Sequence, residues 1–285
     1  YDPKLVDQPE RLQSLLADAR VLIVRNRTQV RGSLLAAAPQ LECVGRLGVG
    51  LDNIDVDACG ARGIKVFPAT GANDLSVAEY VITAALVLLR RAWLSTGAMV
   101  AGEWPRQSLI GLELSGRTMG LVGYGAIARQ VAQRATALGM TCVGFDPFLP
   151  ANDPRWGTTA SVPLDDLLGS ADVISLHTPL TTGTRHMIDA GALAKTKPGA
   201  ILINAARGGV VDEAALAAGL RQGSLGGAAL DVFETEPLTA AAGEKFAGLT
   251  NIVLTPHIAG VTEESNVRVS ELIARRVAQY LEGSA

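Results

Sequence analysis

The chain has 285 residues, of which 48% are hydrophobic and 19% charged, so it is long enough for two domains and its composition argues against disorder. The formal net charge is −3, which leaves no general positive field for nucleic acid or anionic lipid, and we expect neither as a partner. The three cysteines form no CxxC pair, which favours a reducing, cytoplasmic setting. The longest apolar run, around residues 77–89, is interrupted by Glu79 and Tyr80 and predicts a buried helix rather than a membrane span.

Short β-branched runs alternate with helical stretches, as is typical of an α/β fold with parallel sheets. The first predicted strands are residues 20–25, 42–47 and 64–67. A long helix is expected from about residue 73 to residue 90. The second series of predicted strands comprises residues 118–122, 141–145, 172–176, 200–204, 227–232 and 252–254. Helical runs such as 127–138 and 213–221 separate these strands, as a doubly wound dinucleotide-binding domain requires, and an amphipathic run over 263–281 is expected to pack back on the first domain.

A dinucleotide-binding pattern, Gly123-x-Gly125-x-x-Ala128, lies directly after the first strand of the second series and opens a helix. Gly123 allows the tight turn, Gly125 lets the main chain approach the pyrophosphate, and Ala128 permits close packing of helix on strand. A glycine-rich turn arising by chance is the alternative, and the strand–turn–helix context argues against it. Asp146 ends the next strand, where a carboxylate would accept bonds from ribose hydroxyls and repel a 2′-phosphate, so NAD is favoured over NADP. A turn residue before Pro147 is the alternative for Asp146.

Three residues at successive strand ends predict acid–base chemistry. His257 follows the last strand, and a histidine can deliver or remove the proton that accompanies hydride transfer to or from a carbonyl carbon. Arg207 follows the strand 200–204, where its guanidinium can hold a carboxylate by two hydrogen bonds. Glu236 lies beyond the strand 227–232, and a carboxylate bonded to a histidine orients the ring and raises its pKa. Each residue alone would fit an ordinary surface charge. The spacing of the histidines does not fit a zinc site, so no metal is expected.

With these motifs in place, the sequence resembles the D-isomer-specific 2-hydroxyacid dehydrogenases, particularly the 3-phosphoglycerate dehydrogenase branch, over essentially its whole length. The motifs that carry the resemblance are residues 120–125, 177–180, 204–208, 231–237 and 255–257. The resemblance implies that Arg207 binds the substrate carboxylate and carbonyl, that Glu236 supports the histidine, and that His257 is the acid/base. It also implies a Rossmann NAD-binding domain, residues 91–260, inserted into a smaller flavodoxin-like substrate domain, residues 1–90 and 261–285. The N-terminus is expected to be truncated by about one strand and helix.

The same resemblance implies a set of NAD contacts. The loop His177-Thr178-Pro179 would pass under the cofactor, and Asp231 would lie near the nicotinamide. The full predicted set is Gly123, Tyr124, Gly125, Ala126, Ile127, Asp146, Pro147, His177, Thr178, Pro179, Thr184, Asn204, Ala205, Ala206, Asp231, Ala259 and Gly260.

Predicted substrate contacts are concentrated in the first third of the chain. By resemblance, amides of Gly48, Val49 and Gly50 hold the substrate carboxylate, and the glycines permit the close approach that such an amide nest requires. A simple turn is the alternative. Asn73 and Ser76 resemble positions near the nicotinamide and the cleft.

Three arginines match the places from which phosphoglycerate dehydrogenases bind the substrate phosphate: Arg25, Arg46 and Arg106, the last from the partner subunit of a dimer. Arginine forks suit a second negative group on the substrate, although any one of these side chains would also fit an exposed edge. Arg27 and Gln107 depart from the phosphoglycerate pattern and leave room for sulfolactate.

We therefore expect an NAD-dependent enzyme that moves hydride between nicotinamide and C2 of a small anionic 2-hydroxy or 2-keto acid, with D-3-phosphoglycerate favoured. Sulfolactate or an alkyl 2-hydroxy acid is the alternative substrate. A non-catalytic NAD(H)-sensing protein of the corepressor type is the alternative class. The family resemblance further implies a homodimer formed through the NAD domain.

Overall fold

The computed structural model describes residues 2–91, 93 and 95–283. The chain divides into two compact units: unit 1 comprises residues 1–73 and 261–285, and unit 2 comprises residues 74–260. The sequence prediction had placed residues 74–90 in the first domain. The structure places them in unit 2 because Ala78, Val81 and Leu88 pack in the same hydrophobic cluster as the sheet residues Leu121 and Ile203.

Unit 1 is a three-stranded parallel sheet with helices. Its strands, in the order β1-β2-β3, are β1 (Val21–Val24), β2 (Cys43–Arg46) and β3 (Lys65–Pro68). Its helices are α1 (Pro9–Leu16), α2 (Gly32–Ala36), α3 (Val56–Ala61) and α11 (Glu263–Gly283), and a 3-10 turn spans Leu5–Asp7.

Successive residues of these strands point to opposite faces of the sheet. Val24 and Val44 pack with α1, α2 and α3 on one face. Cys43 packs with the α11 residue Ile273 on the other face. A side chain at Gly45 would place its Cβ 2.6 Å from Ile273 Cγ2, so α11 approaches β2 where only glycine fits. The last helix of the chain is therefore the second covering layer of the first sheet.

Unit 2 contains a seven-stranded parallel sheet in the order β10-β9-β8-β7-β4-β5-β6. Its strands are β4 (Thr118–Val122), β5 (Thr141–Phe145), β6 (Ala160–Ser161), β7 (Val173–Leu176), β8 (Ala200–Asn204), β9 (Leu225–Leu230) and β10 (Ile252–Leu254). Its helices are α4 (Asp74–Arg90), α5 (Thr96–Val100), α6 (Ala126–Ala137), α7 (Leu164–Ser170), α8 (Ala190–Ala194), α9 (Glu213–Gln222) and α10 (Ala240–Gly243), and 3-10 turns span Pro154–Trp156 and Glu244–Phe246.

Both faces of the unit 2 sheet are covered, and every residue of β7 and β8 is buried. This explains why those strands read as continuous apolar runs rather than as alternating patterns. The strand order reverses at β4, which pairs with β5 on one side and β7 on the other. In open α/β sheets such a reversal opens a crevice at the carboxyl ends of the strands, and ligands bind there.

The predicted α/β class with parallel sheets is confirmed, but two strands of unit 2 differ from the prediction. β6 was not predicted, because a two-residue edge strand carries no recognisable hydrophobic pattern. β9 begins at Leu225 and ends at Leu230, two residues earlier than expected at each end. The start of β9 was not recognised because glycine is not typical of strands. Glycine is needed there, since an added Cβ at Gly226 would lie 2.4 Å from Gly199 O. No helix among the described residues is both long and apolar enough to cross a membrane.

Candidate active site

The turn after β4 contains two glycines, and the backbone conformation of the protein requires glycine at only one of them. Gly123 has φ +85°, and an added Cβ would lie 2.8 Å from the main-chain oxygen of His177. Gly125, the N-cap of α6, has ordinary φ −75°, and an added Cβ there would meet nothing within 4 Å. Open space at Gly125 next to a helix N-terminus is the environment that a pyrophosphate needs, so this turn fits a dinucleotide. Ala128 is completely buried in the core.

Asp146 is joined directly to that turn. Its Oδ2 accepts a hydrogen bond from the amide of Tyr124 at 2.9 Å, and its Oδ1 accepts one from Phe148 N at 2.9 Å. Each carboxylate oxygen can accept a second bond, so both retain capacity for a ribose hydroxyl. The two separated parts of the predicted NAD motif therefore lie side by side.

Tyr124, a predicted cofactor contact, turns its side chain into the core. The ring is 4% exposed and stacks on Trp156 with 4.3 Å between centroids. Its hydroxyl donates to Thr159 Oγ1 at 2.7 Å. Only the main chain of Tyr124 is thus placed to contribute to the turn.

The loop after β7 is held by its own polar side chains. Ser175 Oγ and His177 Nε2 are 3.0 Å apart. His177 is partly exposed as a residue, but desolvation of the ring lowers the pKa of His177 to about 4, so the ring is neutral near pH 7. Thr184 Oγ1 donates to Pro179 O at 2.6 Å and accepts from Thr181 N at 2.8 Å, which closes the following turn.

Asn204, at the end of β8, shapes the loop that carries Arg207. The asparagine is 1% exposed, its Oδ1 accepts from Ala206 N at 3.1 Å, and its Nδ2 donates to Arg207 O at 2.9 Å. The loop folds around this buried amide. Arg207 is partly exposed and donates from Nη1 to Ala206 O at 2.6 Å.

His257 and Glu236 form the predicted pair, with 2.8 Å between His257 Nδ1 and Glu236 Oε2. The hydrogen bond to Glu236 raises the pKa of His257 above its ordinary value, against the opposing effect of burial. Desolvation acts to raise the pKa of Glu236, yet that pKa is lowered because His257 and the amide of Phe233 stabilise the carboxylate. The positive charge of Arg207 acts to lower the pKa of both groups. The three predicted catalytic residues follow strands β8, β9 and β10, which are neighbours in the parallel sheet, so they lie at the same edge of it. With Nδ1 engaged, Nε2 of His257 is the nitrogen left for proton transfer.

Asp231 holds the loop on which His257 lies. It is 1% exposed, and its Oδ1 accepts from Ile258 N and its Oδ2 from Ala259 N, both at 2.7 Å. Thr255 Oγ1 also donates to Asp231 Oδ1 at 2.6 Å, and Tyr80 OH lies 2.6 Å from the same hydroxyl oxygen. We had predicted Asp231 as a nicotinamide contact and had assigned no role in the site to the side chains of Tyr80 or Thr255. Tyr80 lies on α4, far away in sequence, and no local pattern marks it.

In unit 1, a buried asparagine connects two of the predicted substrate arginines. Arg46 donates from Nε to Asn53 Oδ1 at 3.3 Å, and Asn53 Nδ2 donates to Arg25 O at 2.9 Å and to Thr28 O at 2.7 Å. Asn53 is 5% exposed, and sequence reasoning did not identify it. Gly48 has φ +154°, a backbone conformation that favours glycine, and the Arg46 guanidinium occupies the space that a side chain at this position would need.

The remaining predicted substrate residues lie in varied surroundings. Arg106 is exposed on the segment after α5, in unit 2. Ser76 is buried in α4, with 5% exposure. Asn73, the last residue of the first segment of unit 1, has a buried Oδ1 that finds no hydrogen-bond donor among the described residues.

Within the described part of the chain, no cluster of three or more His, Cys, Asp or Glu residues could hold a metal ion.

Residues 82–259 match the family described as "D-isomer specific 2-hydroxyacid dehydrogenase, NAD binding domain". Over 282 residues the chain is 57% identical to an (S)-sulfolactate dehydrogenase of Chromohalobacter salexigens, covering 99% of this chain and 91% of that protein. It is 44% identical to a D-3-phosphoglycerate dehydrogenase of Mycobacterium tuberculosis, covering 98% of this chain but 52% of that protein. The structure of a D-lactate dehydrogenase from Aquifex aeolicus, complexed with NAD and lactic acid, matches with a TM-score of 0.86 and 31% identity over 95% of this chain and 86% of that one.

A doubly wound sheet with a dinucleotide turn and a histidine–carboxylate pair defines an NAD-binding oxidoreductase. The chain belongs to the D-isomer specific 2-hydroxyacid dehydrogenases and is an NAD-dependent 2-hydroxyacid dehydrogenase. The predicted family, cofactor and enzyme class are confirmed, and the relatives named above are enzymes rather than corepressors. Of the relatives named above, the (S)-sulfolactate dehydrogenase has the higher identity to this chain, 57%, and the D-3-phosphoglycerate dehydrogenase the lower, 44%.

Proposed function

We propose that the chain interconverts (S)-sulfolactate and the corresponding 2-keto acid. The observation that carries this proposal is the 57% identity to an (S)-sulfolactate dehydrogenase over nearly the whole of both chains. The charge pattern fits, because a sulfonate on C3 presents tetrahedral anionic oxygens that arginine forks bind well. Arg25 and Arg46, connected through Asn53, are the candidate sulfonate ligands of unit 1.

Each chemical task has a candidate residue. The turn Gly123–Ile127 and Asp146 would hold NAD, which when bound supplies the acceptor or donor of the hydride at C2. In unit 2, Arg207 is the candidate ligand of the substrate carboxylate. The amides of Gly48–Gly50, in unit 1, stay predicted carboxylate contacts. In oxidation, His257 removes the hydroxyl proton through Nε2, and Glu236 stabilises the imidazolium that forms. In reduction, the same imidazolium returns the proton to the carbonyl oxygen. The other predicted cofactor contacts stay predictions.

A homodimer through unit 2 is the second part of the proposal. The segment that follows α4 exposes large apolar side chains, which a monomer rarely keeps in one stretch. They are Met99, Val100, Trp104, Ile110 and Leu112, with Val100 85% and Trp104 77% exposed. Arg106 lies on the same segment and would reach the substrate of the partner.

The three cysteines are buried free thiols, which supports the predicted reducing, cytoplasmic setting.

The experiment that tests the substrate proposal is a comparison of kcat/KM with NAD for (S)-sulfolactate, D-3-phosphoglycerate and D-lactate under one set of conditions. We expect (S)-sulfolactate to give the highest value. A higher kcat/KM for phosphoglycerate would restore the first prediction. Absence of turnover with every 2-hydroxy acid, while NADH still binds, would instead favour the binding-protein hypothesis.

A further inference from the structure

Two glutamates outside the predicted site form a reciprocal contact between the Arg207 loop and the Glu236 loop. Glu213, the first residue of α9, accepts a hydrogen bond at Oε1 from Glu234 N at 2.7 Å. Glu234 in return accepts from Glu213 N, with 3.3 Å between Oε1 and N. Each side chain therefore satisfies the main-chain amide of the other residue.

The contact is buried and charged, which makes Glu213 unusual. Its side chain is 3% exposed, and Lys245 Nζ lies 2.9 Å from its Oε2 and 3.7 Å from Glu234 Oε2. Burying a carboxylate costs free energy unless it is paired, and here Lys245 and the amide of Glu234 offset that cost. His186 Nε2 lies 3.0 Å from Glu234 Oε1 and completes the cluster.

The turn held by Glu213 is the one that presents Glu236. Phe233 N donates to Glu236 Oε1 at 3.0 Å, and the other oxygen of Glu236 contacts His257. On the opposite side, Gly208 lies so close that an added Cβ would be 1.7 Å from Phe233 O. The main chain at residues 233 and 234 is thus fixed by Glu213 and by the loop that carries Arg207.

We propose that Glu213 is a positioning residue for the Glu236–His257 pair: its carboxylate holds the main chain at Glu234 and so fixes the turn from which Glu236 reaches the histidine. The inference rests on the proposed function of His257. Within the part of the chain that the structure describes, Glu213 makes no hydrogen bond to a predicted catalytic side chain, so it acts through the main chain. Without it, Glu236 loses the fixed distance to Nδ1 on which its effect on the histidine depends.

The test compares Glu213→Ala, Glu213→Asp and Glu213→Gln. Alanine removes the bond to Glu234 N, and aspartate shortens the reach of the carboxylate while keeping its charge. Glutamine keeps an oxygen that can accept from that amide. We expect the alanine and aspartate variants to lower kcat by about 10–100-fold, because small displacements of catalytic groups have effects of that size. The NADH dissociation constant should stay within about twofold, and glutamine should restore most of kcat.

The pH profile distinguishes positioning from general stability. The charged groups that act on His257 are Glu236, Asp231 and Arg207. If Glu236 is displaced, the apparent pKa of the histidine limb should fall toward 6.5 in the alanine and aspartate variants. Asp172→Ala is the matched control, since Asp172 also accepts from a main-chain amide, Thr118 N at 2.9 Å, and from a lysine, Lys197 at 2.7 Å, but lies at the start of β7. It should lower the melting temperature and leave the pH profile unchanged.

An unchanged pH profile and kcat in either the alanine or the aspartate variant would overturn the proposal. A glutamine variant as impaired as alanine would also overturn it, because the hydrogen bond to Glu234 would then not be the cause. His257→Ala is measured in parallel. If that variant keeps near-normal turnover, the proposed function fails; if it is inactive while the Glu213 variants behave as wild type, only the positioning inference fails.

Discussion

Asp146 Oδ2 and Tyr124 N are 2.9 Å apart, so the acid at the end of β5 is bonded to the glycine turn at the end of β4. The carboxylate predicted to select the cofactor therefore also holds the turn predicted to bind its phosphates. We expect Asp146→Ser to reduce the preference for NAD over NADP by about 10–100-fold, the effect of losing a charged hydrogen-bond acceptor. Steady-state kinetics with both cofactors measure it. Asp189→Ala, which removes a similar bond to a main-chain amide at the N-terminus of α8, is the control, and an unaltered preference in the Asp146 variant would contradict the assignment.

The two glycines of the turn should respond differently to alanine. Gly123→Ala places a Cβ 2.8 Å from a main-chain oxygen at φ +85°, so it should destabilise the protein by about 1–3 kcal/mol. Gly125→Ala meets nothing within 4 Å, so it should fold normally and bind NADH at least tenfold more weakly, by roughly the 1.4 kcal/mol that one tenfold step represents. Thermal unfolding and NADH titration separate the two effects. Normal NADH affinity in the Gly125 variant would argue against a pyrophosphate at this point.

Loss of His257 should abolish proton transfer while leaving cofactor binding intact. We expect His257→Ala to lower kcat by about 10²–10⁴-fold in both directions, the usual contribution of a positioned acid or base. NADH affinity, measured by fluorescence titration, should be unchanged. Asp172→Ala is a suitable comparison, because Asp172 accepts from Thr118 N and Lys197 Nζ and, among the described residues, makes no hydrogen bond to the Glu236–His257 pair. Comparable losses in the two variants would mean that His257 has no special part in the chemistry.

The direction of the reaction should set the sign of the pH dependence. The bond to Glu236 raises the pKa of His257 above 6.5, so the ring becomes neutral only at a pH above that value. Oxidation needs the neutral base and should increase as pH rises through this pKa; reduction needs the imidazolium and should decrease over the same interval. Glu236→Gln should move both transitions to lower pH. Parallel slopes in the two directions would rule out His257 as the shared group.

Asn53 should influence recognition of the charged tail and little else. Asn53→Ala frees Arg46 Nε and the main chain at Arg25, so KM for (S)-sulfolactate should rise about tenfold, the effect of losing one charged hydrogen bond. KM for D-lactate, which lacks the tail, should change much less. Asp55→Ala, which removes the N-cap of α3 two residues away, serves as the control. Equal increases for both acids would indicate a general loss of structure in unit 1.

The sequence predicted those parts of the site that local patterns specify. Gly123, Gly125 and Asp146 were found because a turn and a strand end require particular residue types. Arg207, Glu236 and His257 were predicted to act together because parallel strands bring their carboxyl ends to one edge, and the family resemblance supplied their individual roles. Tyr80, Asn53 and Glu213 were missed, since each acts through a contact between segments distant in the sequence, and an isolated Tyr, Asn or Glu resembles an ordinary surface or core residue.

Packing decides two features that the sequence patterns leave open. Tyr124 was predicted as a cofactor contact without a choice between its ring and its main chain, and its ring stacks on Trp156 in the core. The helix α4 was assigned to the preceding domain because it follows that domain in the chain. Its apolar face packs against the sheet of unit 2, whose strands follow α4 in the sequence.

The packing of α11 on β2 also has a consequence for synthesis. The strands β1 to β3 leave the ribosome first, but one of their faces is covered by Val269, Ile273 and Val277, which are made only after all of unit 2. Domains generally fold as units once their residues have been synthesised. Unit 2 can therefore complete its own core before α11 is available to cover Cys43 and Ala69 of the first sheet. This apolar surface of the nascent chain therefore stays exposed while nearly two hundred residues are translated. We expect the chain to be most prone to aggregation during that interval.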